Sequence, residues 1–339
     1  TAVGANAGDA ITTGTKHTLI GKNAGGAITT NERTVAIGTS CISGANIGFA
    51  VGVGDEVLSS GSLSGNNHVA IGFRASKNNT TGVNTAVGFR CLQTNTTGSS
   101  NSAVGFDAMI DNTTGDSNTA LGNLALSNNT TADQNTAVGS LALEANTTGQ
   151  FNCALGVGAL QNNTTASNNT AIGINALLAN TTGTQLVALG GYALDANTTA
   201  NNNTAIGYES LTGNTTGSEN SGFGRMSLRH NTTGSSNTAC GVGTLQSNTT
   251  ASDNTAVGSN TLTTNTTGTR NSGLGKQALE NNSTASDNTG IGNGALRANT
   301  TGGNNTALGS NALRLNTTAS NNTAVGKQSL FSNTTGAGN

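Results

Sequence analysis

The sequence predicts an all-β protein, a parallel β-solenoid (β-roll) of about twenty 17-residue coils. Three observations support this fold: a strict internal repeat, an unusual composition and the complete absence of proline. A glycine preceded by an apolar residue recurs every 17 residues from Gly88 to Gly326. A fixed period of this kind is the signature of a solenoid, in which each repeat forms one turn of the chain.

The repeat has the consensus N-T-A-[VIL]-G-x-x-[AS]-L-x-x-N-T-T-[GA]-x-x, and stacked coils align equivalent residues about 4.8 Å apart. We expect the aliphatic residue before the glycine and the leucine four residues after it to form the core, as at Val138 and Leu143. The pattern predicts strands near each [VIL]-G and each A-L segment. Side chains alternate along a strand, so Ala137 lies on the face opposite Val138. An alanine ladder on that face predicts close contact with a neighbouring chain.

Two asparagine ladders run through the repeats, represented by Asn135 and Asn146. Stacked asparagine amides hydrogen-bond to their copies in adjacent coils, so we interpret them as structural. The residue after N-T-T alternates between glycine and alanine, as at Gly149 and Ala166. The sequence alone leaves open whether one physical turn holds 17 or 34 residues, and we favour 17.

Residues 1–75 predict irregular β-roll coils, and residues 76–339 predict a regular shaft. In the first part the repeated glycines are unevenly spaced; they are Gly4, Gly21, Gly38, Gly52 and Gly72. The chain opens at Thr1 inside a repeat, which indicates a processed chain or part of a longer one.

The composition excludes several classes of function. Charged residues make up 8% of the chain and the net charge is -2, so there is no electrostatic footprint for nucleic acid. No apolar stretch is long enough to enter and span a bilayer. Proline cannot donate to a β-ladder, so its absence fits a chain whose backbone N–H groups pair throughout.

Two parts of the chain resemble known repeats. The segments T-V-A-I-G (residues 34–38) and H-V-A-I-G (residues 68–72) resemble coils in the head domains of trimeric autotransporter adhesins. The regular segment from Asn203 to Gly217 is similar to repeats of phage tail fibres and bacterial surface proteins. The resemblance implies a parallel homotrimer of left-handed β-rolls that is secreted or carried on a virion.

Residues suited to catalysis are scattered, and no catalytic, metal-binding or cofactor motif is present. We therefore predict no enzymatic activity, no metal and no cofactor. On a regular solenoid, specificity is expected where regularity fails. The irregular segment from Ile42 to Asn67 is the candidate ligand-contact region, with Phe49, Asp55 and Glu56 facing a cell-surface receptor or glycan.

The asparagines of the N-T-T triplets and the cysteines support two further predictions. The N-T-T triplets are formal N-glycosylation acceptors, for example at Asn146 and Asn180. Cys41 and Cys91 share one ladder but lie three coils apart, too far for a disulfide. We expect none of the four cysteines to bridge within one chain.

Taken together, these patterns predict a structural fibre shaft or adhesive surface appendage that associates with itself and lies extracellularly, at the cell surface or on a virion. Two alternatives remain open from the sequence: a self-polymerising matrix or sheath filament, and an ice-binding solenoid. Ice binding favours outward threonines two residues apart, whereas the threonines here are adjacent, as in Thr147 and Thr148.

Overall fold

The computed structural model describes residues 1–44, 46–60 and 66–339. The chain is a parallel β-solenoid of about nineteen turns, and the described residues contain no helix. Its strands are two or three residues long and are β1 (Ala2–Val3), β2 (Thr18–Ile20), β3 (Val35–Ile37), β4 (Val51–Val53), β5 (Val69–Ile71), β6 (Thr85–Val87), β7 (Ser102–Val104), β8 (Thr119–Leu121), β9 (Thr136–Val138), β10 (Cys153–Leu155), β11 (Thr170–Ile172), β12 (Val187–Leu189), β13 (Thr204–Ile206), β14 (Ser221–Phe223), β15 (Thr238–Cys240), β16 (Thr255–Val257), β17 (Ser272–Leu274), β18 (Thr289–Ile291), β19 (Thr306–Leu308) and β20 (Thr323–Val325).

The chain forms two compact units, residues 1–168 and 169–339. In the first unit each strand from β1 to β9 pairs in parallel with the next, and in the second unit each strand from β11 to β19 does the same. Thr136 pairs with Cys153, and Thr255 pairs with Ser272. One physical turn therefore holds 17 residues, as the sequence favoured.

We number each regular coil from the first residue of its strand, so that the strand occupies positions 1–3 and the glycine position 4. The [AS]-L segment at positions 7 and 8 was also predicted to lie in a strand, and that prediction is wrong. It forms a turn in which Leu141 and Leu143 are left-handed, with φ of 62° and 52°. This conformation costs a leucine about 1–2 kcal/mol. Inter-coil hydrogen bonds from the two N–H groups, to the carbonyls of Asn123 and Ala159, offset that cost.

The interior of the coil contradicts the predicted outward alanine ladder and confirms the predicted buried leucine ladder. Ala137 and Ala142 are fully buried, so the alanine ladder lines the interior and does not face a neighbouring chain. Leu143 is fully buried, as predicted, whereas Val138 lies on the outside and is half-buried. Strand alternation was read correctly, but a 17-residue turn encloses too little volume for two large aliphatic ladders. The smaller residue therefore takes the inner face.

The asparagine ladders at positions 11 and 17 are confirmed, and both lie inside. At position 11, the side-chain amide of Asn146 donates to Asn129 Oδ1 at 3.1 Å and to the Gly149 carbonyl at 2.9 Å. At position 17, Asn135 donates its amide to the same Gly149 carbonyl at 2.9 Å. Its backbone N–H donates to Asn118 Oδ1 at 2.9 Å. The two ladders thus converge on one carbonyl in each coil.

The alternation of glycine and alanine at position 14 does not alter the turn. Asn180 donates to the Gly183 carbonyl and Asn197 to the Ala200 carbonyl, at 3.0 and 3.2 Å. Successive coils therefore have the same geometry at this position, although their residues alternate.

Glycine is required at position 4. Gly309 has φ of 135°, and a Cβ atom there would lie 2.5 Å from the carbonyl oxygen of Gly326 in the next coil. In the irregular part of the chain this position is held by Gly54, with φ of 133°. The sequence analysis placed Gly52 in the series, but Gly52 lies inside strand β4. The steps from β3 to β6 are then 16, 18 and 16 residues.

The first prediction concerns the buried amides. Replacing Asn146 by alanine removes the donor to Asn129 and to Gly149, and leaves buried polar groups of neighbouring coils with fewer partners. We expect a loss of about 1–3 kcal/mol in the free energy of unfolding. Urea denaturation followed by circular dichroism measures it. Thr148→Ala is the matched control, because Thr148 is exposed and should change stability by less than about 0.5 kcal/mol. Equal effects of the two substitutions would contradict the structural role of the amide.

Candidate interaction surface

The outer side of the strands is an uncharged surface of the coil. We call it the strand face; it consists of the side chains at positions 1 and 3. Position 1 is mostly threonine or serine, and position 3 is mostly valine, isoleucine or leucine. None of the twenty strands contains a charged residue.

Large apolar side chains are exposed on the strand face in both units. In the first unit, those more than a third exposed at position 3 are Val3, Ile20, Ile71, Val104, Leu121 and Leu155. In the second unit, they are Leu189, Phe223, Leu274, Ile291, Leu308 and Val325. Single exposed apolar residues are ordinary, but a continuous row of them marks an interaction surface.

A second apolar feature lies beside the strand face in the first unit. Phe73, Phe89 and Phe106 occupy position 5 of three successive coils, and we call them the aromatic block. Their ring centroids are 5.3 and 5.1 Å apart, with interplanar angles of 22° and 5°. They remain 38%, 41% and 48% exposed. The block was not predicted from the sequence, although a phenylalanine directly follows three successive repeat glycines.

Arginines border the aromatic block, and each of them is ion-paired with a carboxylate. The Arg74 guanidinium lies 4.8 Å from the centroid of Phe73, and its Nε donates to Glu56 Oε2 at 2.7 Å. Arg90 lies 5.1 Å from the centroid of Phe89, and its Nε donates to Asp107 Oδ1 at 2.9 Å. The block therefore presents aromatic edges and paired charges to its surroundings.

The predicted ligand-contact residues have different partners within the chain. Phe49 is exposed and lies 5.1 Å from the guanidinium of Arg33. Strand β4 separates it along the chain from Asp55 and Glu56. Asp55 Oδ1 accepts a hydrogen bond of 2.9 Å from the Thr39 N–H, so it has a structural partner. Ala45 and residues 61–65 of the predicted segment lie outside the described residues.

Glu56 belongs instead to the surroundings of the aromatic block. It accepts hydrogen bonds from Lys77 Nζ and Arg74 Nε at 2.8 and 2.7 Å, and these two bonds lower the pKa of its carboxyl group. The carboxylate is therefore occupied by its own chain, and it is shared by two cations.

The predicted glycan acceptors are buried. Asn146 and Asn180 have no exposed surface, and their amide nitrogens donate to the Gly149 and Gly183 carbonyls. An N-linked glycan on either nitrogen is incompatible with this fold, because the nitrogen faces the interior and is occupied by hydrogen bonds. The sequence triplet is present, but its asparagine is buried in this fold.

The cysteines are free, and the structure separates them into two kinds. Cys41 and Cys91 are buried at position 7, and burial raises the pKa of each thiol to about 12. Cys153 and Cys240 lie on the strand face at positions 1 and 3, half-buried and exposed respectively. Cysteine is therefore a small buried apolar residue at position 7, whereas Cys240 is exposed.

A third outer surface carries hydroxyl groups, and we call it the hydroxyl face; position 13 is threonine in the regular coils, whereas position 15 is often serine but also holds Asp116, Asp133 and Gln150. It is formed by positions 13 and 15, because the residue between them is buried. Thr250 is exposed, Ala251 is buried, and Ser252 is half-buried with its hydroxyl accepting a hydrogen bond of 3.0 Å from the Ser235 N–H. The adjacent Thr249 instead donates its hydroxyl to the Thr266 carbonyl at 3.1 Å. Outward hydroxyls therefore do occur two residues apart, which the sequence analysis did not foresee.

Within residues 1–44, 46–60 and 66–339, no group of three or more histidine, cysteine or acidic side chains is placed to hold a metal ion. No helix in that part of the chain has the length and apolarity needed to cross a bilayer. Comparison of the sequence with protein-family models and with curated proteins finds no match in either. The surfaces described above are therefore the basis for assigning a role.

The second prediction concerns thiol reactivity. A thiol with a pKa of about 12 stays protonated below pH 10, and a buried thiol is also inaccessible. We expect the folded protein to react with a thiol reagent at Cys240 and Cys153 only, and the urea-unfolded protein to react at all four cysteines. Mass spectrometry of alkylated peptides assigns the sites. Modification of Cys91 in the folded protein would contradict the predicted burial of position 7.

Proposed function

We propose that this chain is a structural fibre shaft or adhesive surface appendage that associates with itself through the strand face and has no catalytic activity. The observation that carries the proposal is a strand face without a single charged residue in twenty strands. Large apolar side chains stay exposed along it in both units. A surface of this kind favours a permanent partner, since it is costly to leave in water.

The occupant that fits this face is a second copy of the chain. A solenoid repeats its side chains at about 4.8 Å, so only a partner with the same period keeps matching it over many coils. Another copy has that period and the same uncharged chemistry. Burial of the exposed aliphatic residues would contribute about 25 cal/mol for each Å² removed from water, repeated at every coil.

The arrangement we propose is a parallel homotrimer of left-handed rolls, which the resemblance to adhesin heads and tail-fibre shafts implies. The alanine ladder that predicted contact with a neighbouring chain is buried inside the coil, so it cannot supply that contact. The strand face replaces it. A location outside the cell, at the cell surface or on a virion is part of the same proposal, as is a receptor or glycan as external partner.

The third prediction tests association through the strand face. We expect the purified chain to have three times its 33.2 kDa mass by light scattering. The double variant Leu121→Lys/Leu274→Lys places a charge in that face in each unit, where the native side chains are 48% and 49% exposed. The variant should keep its fold and lose assembly, because an uncompensated charge in an apolar interface is strongly unfavourable.

Thr114→Lys/Thr267→Lys is the control, because both threonines are exposed on the hydroxyl face. It should leave the mass unchanged. A monomeric native chain would refute self-association. A mass that grows with concentration, without a limiting stoichiometry, would favour the alternative of a self-polymerising matrix or sheath filament, since an open heterologous contact does not close.

The hydroxyl face favours one other candidate function, ice binding. Outward hydroxyl and methyl groups repeat along each unit at the coil spacing, and those at position 15 are held by inter-coil hydrogen bonds, as Ser252 and Ser286 are. A rigid periodic array of this kind is preorganised to order a layer of water, and preorganisation lowers the cost of binding.

The fourth prediction separates this candidate from the shaft. If the protein binds ice, it should inhibit ice recrystallisation, and Thr250→Lys/Thr267→Lys should abolish that effect. If it is a shaft, neither protein has any effect on ice while the native chain remains assembled. The strand-face variant Leu121→Lys/Leu274→Lys serves as the control for ice binding, because it leaves the hydroxyl face intact.

A further inference from the structure

A uniform strand face leaves the register between two copies undetermined. Position 3 is aliphatic in nearly every coil, so sliding one copy along another by one coil buries almost the same surface. Repeating β-surfaces without distinctive side chains are prone to slip in register. A self-associating shaft with one defined structure therefore needs a feature that distinguishes one level of the solenoid from the next.

The aromatic block is a feature of this kind. It occupies three successive coils, and polar residues bound it at the same position on both sides, with Asp55 in the coil before and Asn123 in the coil after. Both of these residues are exposed. A slip of one coil in either direction would place a phenylalanine level with an aspartate or an asparagine.

The block also lies next to the proposed interface. Phe73 follows Ile71 of the strand face by two residues, so their Cα atoms are at most about 7 Å apart. Phe106 likewise follows Val104 of the strand face by two residues. Side chains at this position therefore border the strand face, and their exposed ring edges are available to the same partner.

Charge does not favour a different occupant for the block. Arg90 is paired with Asp107, and Arg74 shares the Glu56 carboxylate with Lys77, so both guanidinium groups already have a carboxylate partner within the chain. The rings cover one another's faces by stacking, and their outer edges remain exposed. A stacked apolar surface bordered by ion-paired arginines matches another copy of itself.

We propose that the aromatic block sets the register between copies of this chain, by packing at the level of the same three phenylalanines in the neighbouring copy. This inference rests on the proposed self-association. Within that self-association, the block determines which coils of the two copies lie side by side. The strand face supplies the contact along the shaft.

The experiment uses a cysteine reporter in the full chain. In a background of Cys153→Ser/Cys240→Ser, the substitution Leu155→Cys places a thiol at position 3, where the native leucine is 45% exposed. Cys41 and Cys91 are buried and do not compete. Brief oxidation and a non-reducing gel then measure the fraction of chains joined by a disulfide.

A disulfide requires Cα atoms about 4.4–6.8 Å apart. Two reporters at the middle of that range and in register would move to about 7 Å apart after a slip of one coil, and further after two. Crosslinking therefore reports copies that are in register, and light scattering reports association separately.

Removing the block by Phe73→Ser/Phe89→Ser/Phe106→Ser should leave the mass unchanged and reduce crosslinking about threefold, since the two one-coil slips become as populated as the native register.

The control Ile174→Ser/Tyr208→Ser/Val242→Ser removes three exposed side chains from the same coil position, 46–48% exposed, outside the block. It should leave both mass and crosslinking unchanged. Phe89→Ser alone, with an intermediate loss, guards against misfolding of the triple variant, and circular dichroism checks each fold.

Each other result overturns the proposal. Unchanged crosslinking in an assembled triple variant would show that register is set elsewhere. A monomeric triple variant beside an assembled control would show that the block supplies affinity and not register. If the reporter chain is monomeric without further substitutions, the proposed self-association itself is refuted. Light scattering shows this before any phenylalanine is changed.

Discussion

Hydrogen bonds from buried asparagine amides are the interaction on which the rest of this structure depends. A 17-residue coil has almost no volume for an apolar core, and its interior holds two alanines, one leucine, two asparagines and the glycine or alanine of position 14 in a typical turn. An amide inside a protein destabilises it unless its donors and acceptor are paired. Here the asparagines of the stacked coils find their partners in their own coil and in the neighbouring one, so the repeat itself satisfies them; Asn322 Nδ2 is an exception and has no hydrogen-bond partner.

This dependence explains why the coils are so uniform inside and so variable outside. The carbonyl at position 14 accepts amides from two coils, as Gly149 does from Asn146 and Asn135. A coil with a different residue at either asparagine position leaves its neighbours short of a partner. Leu186 is the one such replacement in the regular series, and it remains fully buried with its backbone N–H bonded to Asn169 Oδ1 at 3.0 Å. Its backbone thus preserves one of the two bonds.

The small interior also determines the character of the surface. Because the alanine ladder fills the inner side of each strand, valine, isoleucine and leucine at position 3 are displaced outward. A chain with 8% charged residues then presents an apolar face that its own coils cannot cover. Self-association is our proposal for what covers it, and the aromatic block is our proposal for how such a uniform contact obtains a defined register. The hydroxyl face on positions 13 and 15 keeps a second role open.

The sequence by itself determined the solenoid, the 17-residue ladders, the buried leucine and the asparagine stacks, because a strict period forces equivalent residues into contact whatever the shape of the coil. It also excluded a disulfide between Cys41 and Cys91 from their separation. Only the tertiary structure decided which side of each strand is inside, since alternation separates Ala137 from Val138 without saying how much volume the turn encloses. With alanine on the inner side of the strand, the aliphatic ladder is exposed. The second predicted strand is instead a turn with left-handed leucines, and the amides of Asn146 and Asn180 are buried. The tertiary structure also brought Glu56 to Arg74 and aligned three phenylalanines, because contacts between coils depend on the register in which the irregular turns stack.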